Sequence, residues 1–275
     1  MPTVISDEHR FAFLHIPKTA GTTVGRQLSV MLPSDPQFHK GSSHDPRVGA
    51  FWWSHLTLHE MAILAPDALD RVKRYRSVAV LRDPLDRFRS ALSNYILNSH
   101  QKPPSRLSAA VVRETASQAI DACERDELTA LNLTLLKPQS RYVEQDGERV
   151  VTRLFDIASL PALAQYVECT TGASLDVASR QRVAENFKRG PLATLRYLRP
   201  VVRMVLPSET TKKIAAGVKR MLRQDRDTVI EDILASLRVQ RLLDDFYGRD
   251  LDLYREVREA NTDPAHAPRS VPLEG

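Results

Sequence analysis

The sequence predicts an α/β fold: a parallel central sheet flanked by helices, with a helical C-terminal part. Three observations carry this reading. Short apolar runs alternate with stretches of helical periodicity, the pattern of a sheet covered by helices. The first such run leads through a small-residue loop directly into a helical pattern, which is how an α/β unit opens. The chain then closes on an amphipathic stretch over residues 229–247.

Arg10-Phe-Ala-Phe-Leu-His-Ile16 is apolar enough for a buried strand, and Pro17 ends it because proline has no N–H for a sheet ladder. Lys18-Thr-Ala-Gly-Thr-Thr23 follows as a loop. A helix then runs to about Leu32, since Val24, Leu28, Met31 and Leu32 share one face. Residues 33–47 are polar and turn-rich and read as a loop. Residues 48–53 read as a second strand, followed by Ser54, His55 and a helix over about 58–69. Arg76-Ser-Val-Ala-Val-Leu81, rich in β-branched residues, is a third strand. Asp83 and Pro84 open the next helix as N-cap and first helical residue. Its apolar stripe is Leu85, Phe88, Leu92, Tyr95 and Ile96, which leaves Arg87, Ser90 and Asn94 on the polar side. A loop over 98–106 carries Pro103 and Pro104. Helical patterning returns at 107–119 and 123–133, residues 149–155 alternate like a strand, and 159–169 reads as helix. In the stretch 229–247 the apolar side is Ile230, Ile233, Leu237 and Phe246. Residues 261–275 are proline-rich and read as a disordered tail, so a single domain over 1–260 is expected.

With 275 residues the chain can bury a full core without staples. Its two cysteines, Cys123 and Cys169, fit no metal-ligand spacing, which excludes disulfide scaffolds and structural zinc modules. No run approaches the roughly 18 apolar residues of a spanning helix, and residues 1–10 lack the apolar core of a secretory signal. A cytoplasmic location is therefore expected. The formal charge of +5 points to an anionic partner and leaves nucleic acid, membrane surface, nucleotide and acidic polysaccharide open. Aromatic residues make up only 6% and are not interleaved with the basic ones, which argues against a base-stacking platform.

Two segments carry chemistry. In His15-Ile-Pro-Lys-Thr-Ala-Gly-Thr-Thr23 a small-residue turn enters a helix N-terminus, whose unpaired N–H groups suit an anion. Lys18 adds a charge, and Thr22 and Thr23 add hydroxyls. The spelling departs from the nucleotidase loop G-x-x-x-x-G-K-[ST], because Lys18 precedes Gly21 instead of following it. Taken alone, it is also the spelling of an ordinary strand-to-helix turn. In Val80-Leu-Arg-Asp-Pro-Leu-Asp-Arg-Phe-Arg-Ser90, Arg82 stands at a strand's C-terminal end, where open α/β sheets bind ligands. Ser90 lies two turns into the helix on its polar face. Together they suit a second phosphate, through a charged fork and a hydroxyl.

The two segments together resemble the carbohydrate sulfotransferases that use 3′-phosphoadenosine-5′-phosphosulfate (PAPS), the group that holds the heparan and chondroitin sulfotransferases. The resemblance covers residues 10–96, continues in patches to 170 and is absent from 186–226. In that family H-x-P-K-T-x-[GS]-[ST]-[ST] binds the 5′-phosphosulfate and R-D-P-x-x-R-x-x-S the 3′-phosphate. The resemblance implies a P-loop nucleotide-kinase-like sulfotransferase fold. It sets Lys18, Thr19, Ala20, Gly21, Thr22 and Thr23 on the first site and Arg82 and Ser90 on the second. Pro138-Gln139-Ser-Arg-Tyr142 is similar to the family's P-Q segment, and Tyr247-Gly-Arg-Asp250 with Leu253-Tyr254 to its C-terminal helix end. Ser54-His55-Leu56-Thr57 resembles the short H-[VL]-[ST] segment that carries a catalytic histidine in heparan members. This implies His55 as general base, with His59 and Glu60 nearby as alternatives. His15 is expected to be positioned by its loop and not to react.

The implied reaction moves a sulfuryl group from PAPS to a hydroxyl of a carbohydrate-type acceptor, without a metal. The transferring group carries less charge than a phosphoryl group, so Lys18 and the helix N-terminus can suffice where kinases need Mg²⁺. His55 would take the acceptor's proton, and Lys18 would neutralise the charge on the leaving phosphate oxygen. On the residues alone two other classes stay open. One is a P-loop-like nucleotide phosphotransferase or hydrolase, weakened by the displaced lysine and by the lack of an evident Walker B strand. The other is a nucleic-acid or membrane-binding module with a vestigial nucleotide site, driven by the basic residues of 186–226. That segment holds Arg196, Arg199, Arg203, Lys212, Lys213, Lys219, Arg220 and Arg223, but Pro191, Pro200 and Pro207 interrupt any long helix. It is expected as a basic helical insertion that lends charge to the acceptor cleft, with neither nucleic acid nor a stable membrane anchor involved.

Overall fold

Residues 3–177 and 228–262 are described by a computed structural model. Strand β2 (Phe11–Leu14) is apolar on both faces because both faces are covered: Phe11 and Phe13 serve one side of the sheet, Ala12 and Leu14 the other. Beside it β5 (Arg76–Leu81) runs parallel, with Leu14 opposite Ala79. Strand β8 (Arg153–Asp156) continues the parallel set, with Leu81 opposite Asp156. A short edge strand, β1 (Val4–Ser6), runs antiparallel to β2. The sheet is therefore mixed, in the order β1-β2-β5-β8, and not wholly parallel as expected. A run of three residues is too short for periodicity to register.

On one face lie α1 (Gly21–Met31) and α6 (Leu160–Thr171), which set Val24, Leu28, Leu163 and Val167 against Phe11, Phe13, Val78, Val80 and Phe155. On the other, α2 (Leu58–Leu64), α3 (Pro66–Arg74) and α8 (Gly248–Thr262) bring Leu58, Met61, Val72, Leu253 and Val257 onto Leu14, Ala79 and Leu81. A separate cluster joins α4 (Pro84–His100), α5 (Ala109–Glu124) and α7 (Leu237–Asp245) through Phe88, Leu92, Val112, Ile120, Val239 and Leu242. This packing leaves the C-terminal ends of β2, β5 and β8 side by side, where the loops after Leu14 and Leu81 become neighbours.

Several expectations are corrected. The strand expected over 48–53 exists as β4 (Gly49–Trp52), but it pairs with β3 (Ser42–Asp45) in a hairpin of its own, and β3 falls inside the stretch read as loop. The helix expected over 58–69 is two helices, because Pro66 cannot donate to the preceding turn and instead starts α3. Residues 107–119 and 123–133 are not two helices either: α5 runs unbroken through 119–123 and stops at Glu124, after which Asp126 takes a left-handed φ of 55°. Residues 149–155 are divided. Glu148–Arg149 (β7) closes a hairpin with Glu144–Gln145 (β6), and only β8 reaches the main sheet.

The helix expected over 229–247 breaks at Ser236, whose hydroxyl caps α7 by accepting from Val239 N. Leu237, counted on the apolar side, is 71% exposed. Helix α8 continues to Thr262, inside the stretch read as tail. The basic insertion and the rest of the tail lie outside the described residues. Among the described residues, no helix is long and apolar enough to cross a membrane.

Candidate active site

The loop after β2 holds two non-glycine residues in left-handed conformations, Lys18 at φ 70° and Ala20 at φ 65°. Each costs about 1–3 kcal/mol. The burial that flanks them is larger, since Phe13, Leu14 and Ile16 are at most 2% exposed and each contributes roughly 1.5–3 kcal/mol. Thr19, 1% exposed, donates from Oγ1 to the Ile16 carbonyl at 3.0 Å, so its hydroxyl holds the turn and does not face a ligand. Ala20 is the N-cap of α1 and offers no side-chain acceptor. Thr23 N bonds the Ala20 carbonyl at 3.1 Å, while the first N–H groups of the helix have no helical partner and suit an anion. A Cβ at Gly21 would lie 2.1 Å from His15 Cδ2, so only glycine lets α1 begin against that ring.

The pairing of β2 with β5 brings the two predicted segments into contact. The Arg82 guanidinium donates to the Lys18 carbonyl at 3.4 Å. Lys18 is half-buried, and its pKa is lowered by burial first and then by the charges of Arg82 and Arg87. Cations held this close favour an anion among them. Asp83 caps α4 as expected, its carboxylate accepting from Asp86 N at 3.0 Å, and Ser90 is half-buried two turns on.

Arg87 departs from the expectation of a polar face. It is 1% exposed and donates to three backbone carbonyls, Pro17 at 3.1 Å, Leu135 at 3.2 Å and Lys137 at 2.7 Å. The side of α4 that reads as polar is covered by two irregular segments whose carbonyls have no ladder partner, and a guanidinium satisfies them.

Strand β4 runs into a 3₁₀ turn, Trp53–His55, and α2 then starts with a capping box. Thr57 Oγ1 accepts from Glu60 N at 3.2 Å, and Glu60 Oε2 accepts from Thr57 N at 2.7 Å. Glu60 is 4% exposed and also ion-paired with Lys137, so it is engaged in holding this corner. His59 is exposed. Of the three candidate bases, His55 is the one in contact with the loop after β2. Its ring meets that of His15 edge-on at 4.4 Å, and its Nδ1 lies 3.1 Å from the His15 carbonyl. A carbonyl only accepts, so Nδ1 carries the proton and Nε2 keeps its lone pair. Burial lowers the pKa of His55 to about 4, which leaves the ring neutral at pH 7.

Thr3 joins the two pieces: its hydroxyl accepts from His15 N at 3.2 Å and donates to the Ser54 carbonyl at 3.3 Å. The sequence held no signal for Thr3, which flanks the short strand that was missed. Among the described residues, no group of three or more His, Cys, Asp or Glu side chains could hold a metal.

Cations, an uncapped helix start and a neutral imidazole are groups whose chemistry suits moving an anionic group while a proton is removed. The family model of the sulfotransferases matches residues 1–255, a span that includes every residue of this site. No curated protein and no solved structure matches the chain. The match covers far more than the two short segments and takes in the sheet and helices that position them, and by it the chain belongs to the sulfotransferase family.

Proposed function

We propose that the protein transfers the sulfuryl group of PAPS to a hydroxyl of a carbohydrate-type acceptor, with His55 as general base and Lys18 opposite the leaving phosphate. One observation carries this reading: the His15 carbonyl that begins the phosphate-type loop also fixes the tautomer of His55. Proton acceptor and anion cradle thus share an anchor. The residues suit the donor, because Lys18 and Arg82 crowd their charges together beside the uncapped start of α1.

When bound, PAPS supplies the sulfuryl group and the phosphate that departs. Lys18, beside the uncapped start of α1, meets the negative charge that develops on the departing oxygen. His55 Nε2 takes the proton of the acceptor hydroxyl as that oxygen attacks sulfur. Arg82 and Ser90 hold the 3′-phosphate and so separate this donor from ATP. A pKa of about 4 makes His55 a weak base in the free protein, and an anion beside the ring raises it by favouring the imidazolium. The formal charge of +5 suits an anionic acceptor.

Thermal unfolding with added nucleotide tests the donor. The 3′,5′-adenosine bisphosphate should raise Tm and ATP with Mg²⁺ should not, since only a ligand of the folded state stabilises it. The reverse ranking, or no shift with either, would overturn the assignment. Transfer itself is read as a mass gain of one sulfate on a panel of carbohydrate acceptors.

A further inference from the structure

The side chain of Gln139 is fully buried and makes a two-point contact with the backbone of Arg82. Its Oε1 accepts from Arg82 N and its Nε2 donates to the Arg82 carbonyl, both at 2.9 Å. This is the pairing a neighbouring strand would supply, applied one residue beyond the end of β5 at Leu81. Gln139 is itself held from behind. Its own N–H donates to one Asp250 oxygen at 2.7 Å, and the N–H of Ser140 donates to the other at 2.8 Å.

Asp250 is 1% exposed in the first turn of α8. Two more buried side chains grip the same segment. Tyr247 donates its hydroxyl to the Leu136 carbonyl at 2.6 Å, and Arg87 takes the carbonyls of Leu135 and Lys137. Residues 135–140 are thus tied from α4, from Tyr247 and from α8, and the amide of Gln139 passes that restraint to Arg82.

We propose that Gln139 and Asp250 are positioning residues for the 3′-phosphate contact: through them α8 sets the direction from which the Arg82 guanidinium meets the donor. The inference rests on the reading of Arg82 as that contact. Arg82 sits where the ladder has ended, so the sheet no longer fixes its backbone. Among the described residues, its guanidinium has only a long 3.4 Å bond to the Lys18 carbonyl to hold it. A charge-assisted fork depends on direction, and a small backbone rotation at Arg82 carries the guanidinium away from a phosphate. Without Gln139, the half-buried N–H and carbonyl of Arg82 lose their partners, and the backbone turns to find water.

The test compares two ligands in calorimetry on the full chain. Gln139→Met preserves the volume and removes both bonds. Affinity for 3′,5′-adenosine bisphosphate should fall about 10-fold, while that for adenosine 5′-phosphate should change by less than about 3-fold, because one lost net hydrogen bond's worth falls on the 3′-phosphate alone. Asp250→Asn, which keeps the shape and removes one of two N–H acceptors, should shift the same ratio by a smaller factor and serves if the first variant does not fold. A merely structural role lowers both affinities together with Tm, and an unchanged ratio in both variants would overturn the proposal. Arg82→Ala is the reference, with an expected selective loss of about 10- to 150-fold for a charged hydrogen bond. Equal weakening of both ligands in Arg82→Ala would sink the reading of Arg82 itself. Selectivity lost in Arg82→Ala but kept in Gln139→Met would sink only the positioning role.

Discussion

The loop after β2 and the start of α4 both present cations at the C-terminal ends of neighbouring strands, yet different contacts hold them. In the loop, the constraints come mostly from within a few residues. Thr19 binds Ile16, Thr23 binds Ala20, and Gly21 lies under the ring of His15. In the second segment Asp83 caps its own helix, but Arg82 is set by Gln139, 57 positions away, and Arg87 reaches back 70 positions to Pro17. The spelling of a motif names the groups that can meet a ligand. Where the constraints are local it also implies their geometry. Where they are remote, it does not say which of two arginines faces the ligand and which is sealed inside.

The strongest test of the local segment uses the proposed base attached to it, through the bond from His55 to the His15 carbonyl. His55→Ala should cut turnover by about 10²–10⁴ and leave donor affinity nearly intact, as loss of a general base does. Near-normal turnover here, with His59→Ala inactive, would move the base to α2 and detach it from the loop.

A smaller effect, and the one that most directly breaks the comparison, concerns Arg87. Arg87→Met leaves three backbone carbonyls, two buried and one part-buried, without their donor and should lower unfolding free energy by about 3 kcal/mol in urea titration. Arg82→Ala should change it by less than about 0.5 kcal/mol, as a half-buried residue without such a role does. Similar values for the two arginines would remove the distinction between a ligand-facing and a protein-facing guanidinium.

The smallest effect belongs to Gly21. Gly21→Ala drives a methyl into the His15 ring and should cost about 1–3 kcal/mol, as overpacking does, with donor affinity reduced alongside. The three nearest atoms all belong to the His15 side chain, so His15→Ala in the same chain should recover part of the loss. Absence of any recovery would mean that the start of α1 is constrained by more than its neighbouring residues.

Much of the site was legible because its parts are local. The sequence reading singled out Lys18, Gly21, Arg82 and the Asp83 cap from short spacings, and the family match over residues 1–255 agrees with the resemblance at the level of the sulfotransferase family. Gln139 and Asp250 stood out only as echoes of a pattern, with nothing in either stretch to say that one grips the other across 111 positions. Arg87 does lie opposite the apolar stripe of α4, but helical periodicity assumes that such a face meets water. Here that face meets backbone. The same limit explains β4, whose pattern is that of a strand but whose partner is β3 and not the main sheet.

By itself the sequence determined an α/β chain with an anion-suited turn after its first long strand, a capped helix after Arg82, and a histidine three residues before α2 begins. Small residues, caps and helix starts act within one or two turns of chain, so their energetics are written in adjacent letters. Tertiary structure decided that the sheet is mixed, that Arg87 is sealed and Arg82 half-open, that His55 lies against the loop after β2 while Glu60 is ion-paired, and that α8 reaches Arg82 through Gln139. Each of those outcomes depends on which buried carbonyls and N–H groups lack a partner once the layers close, and that is settled by distances between residues far apart in the chain.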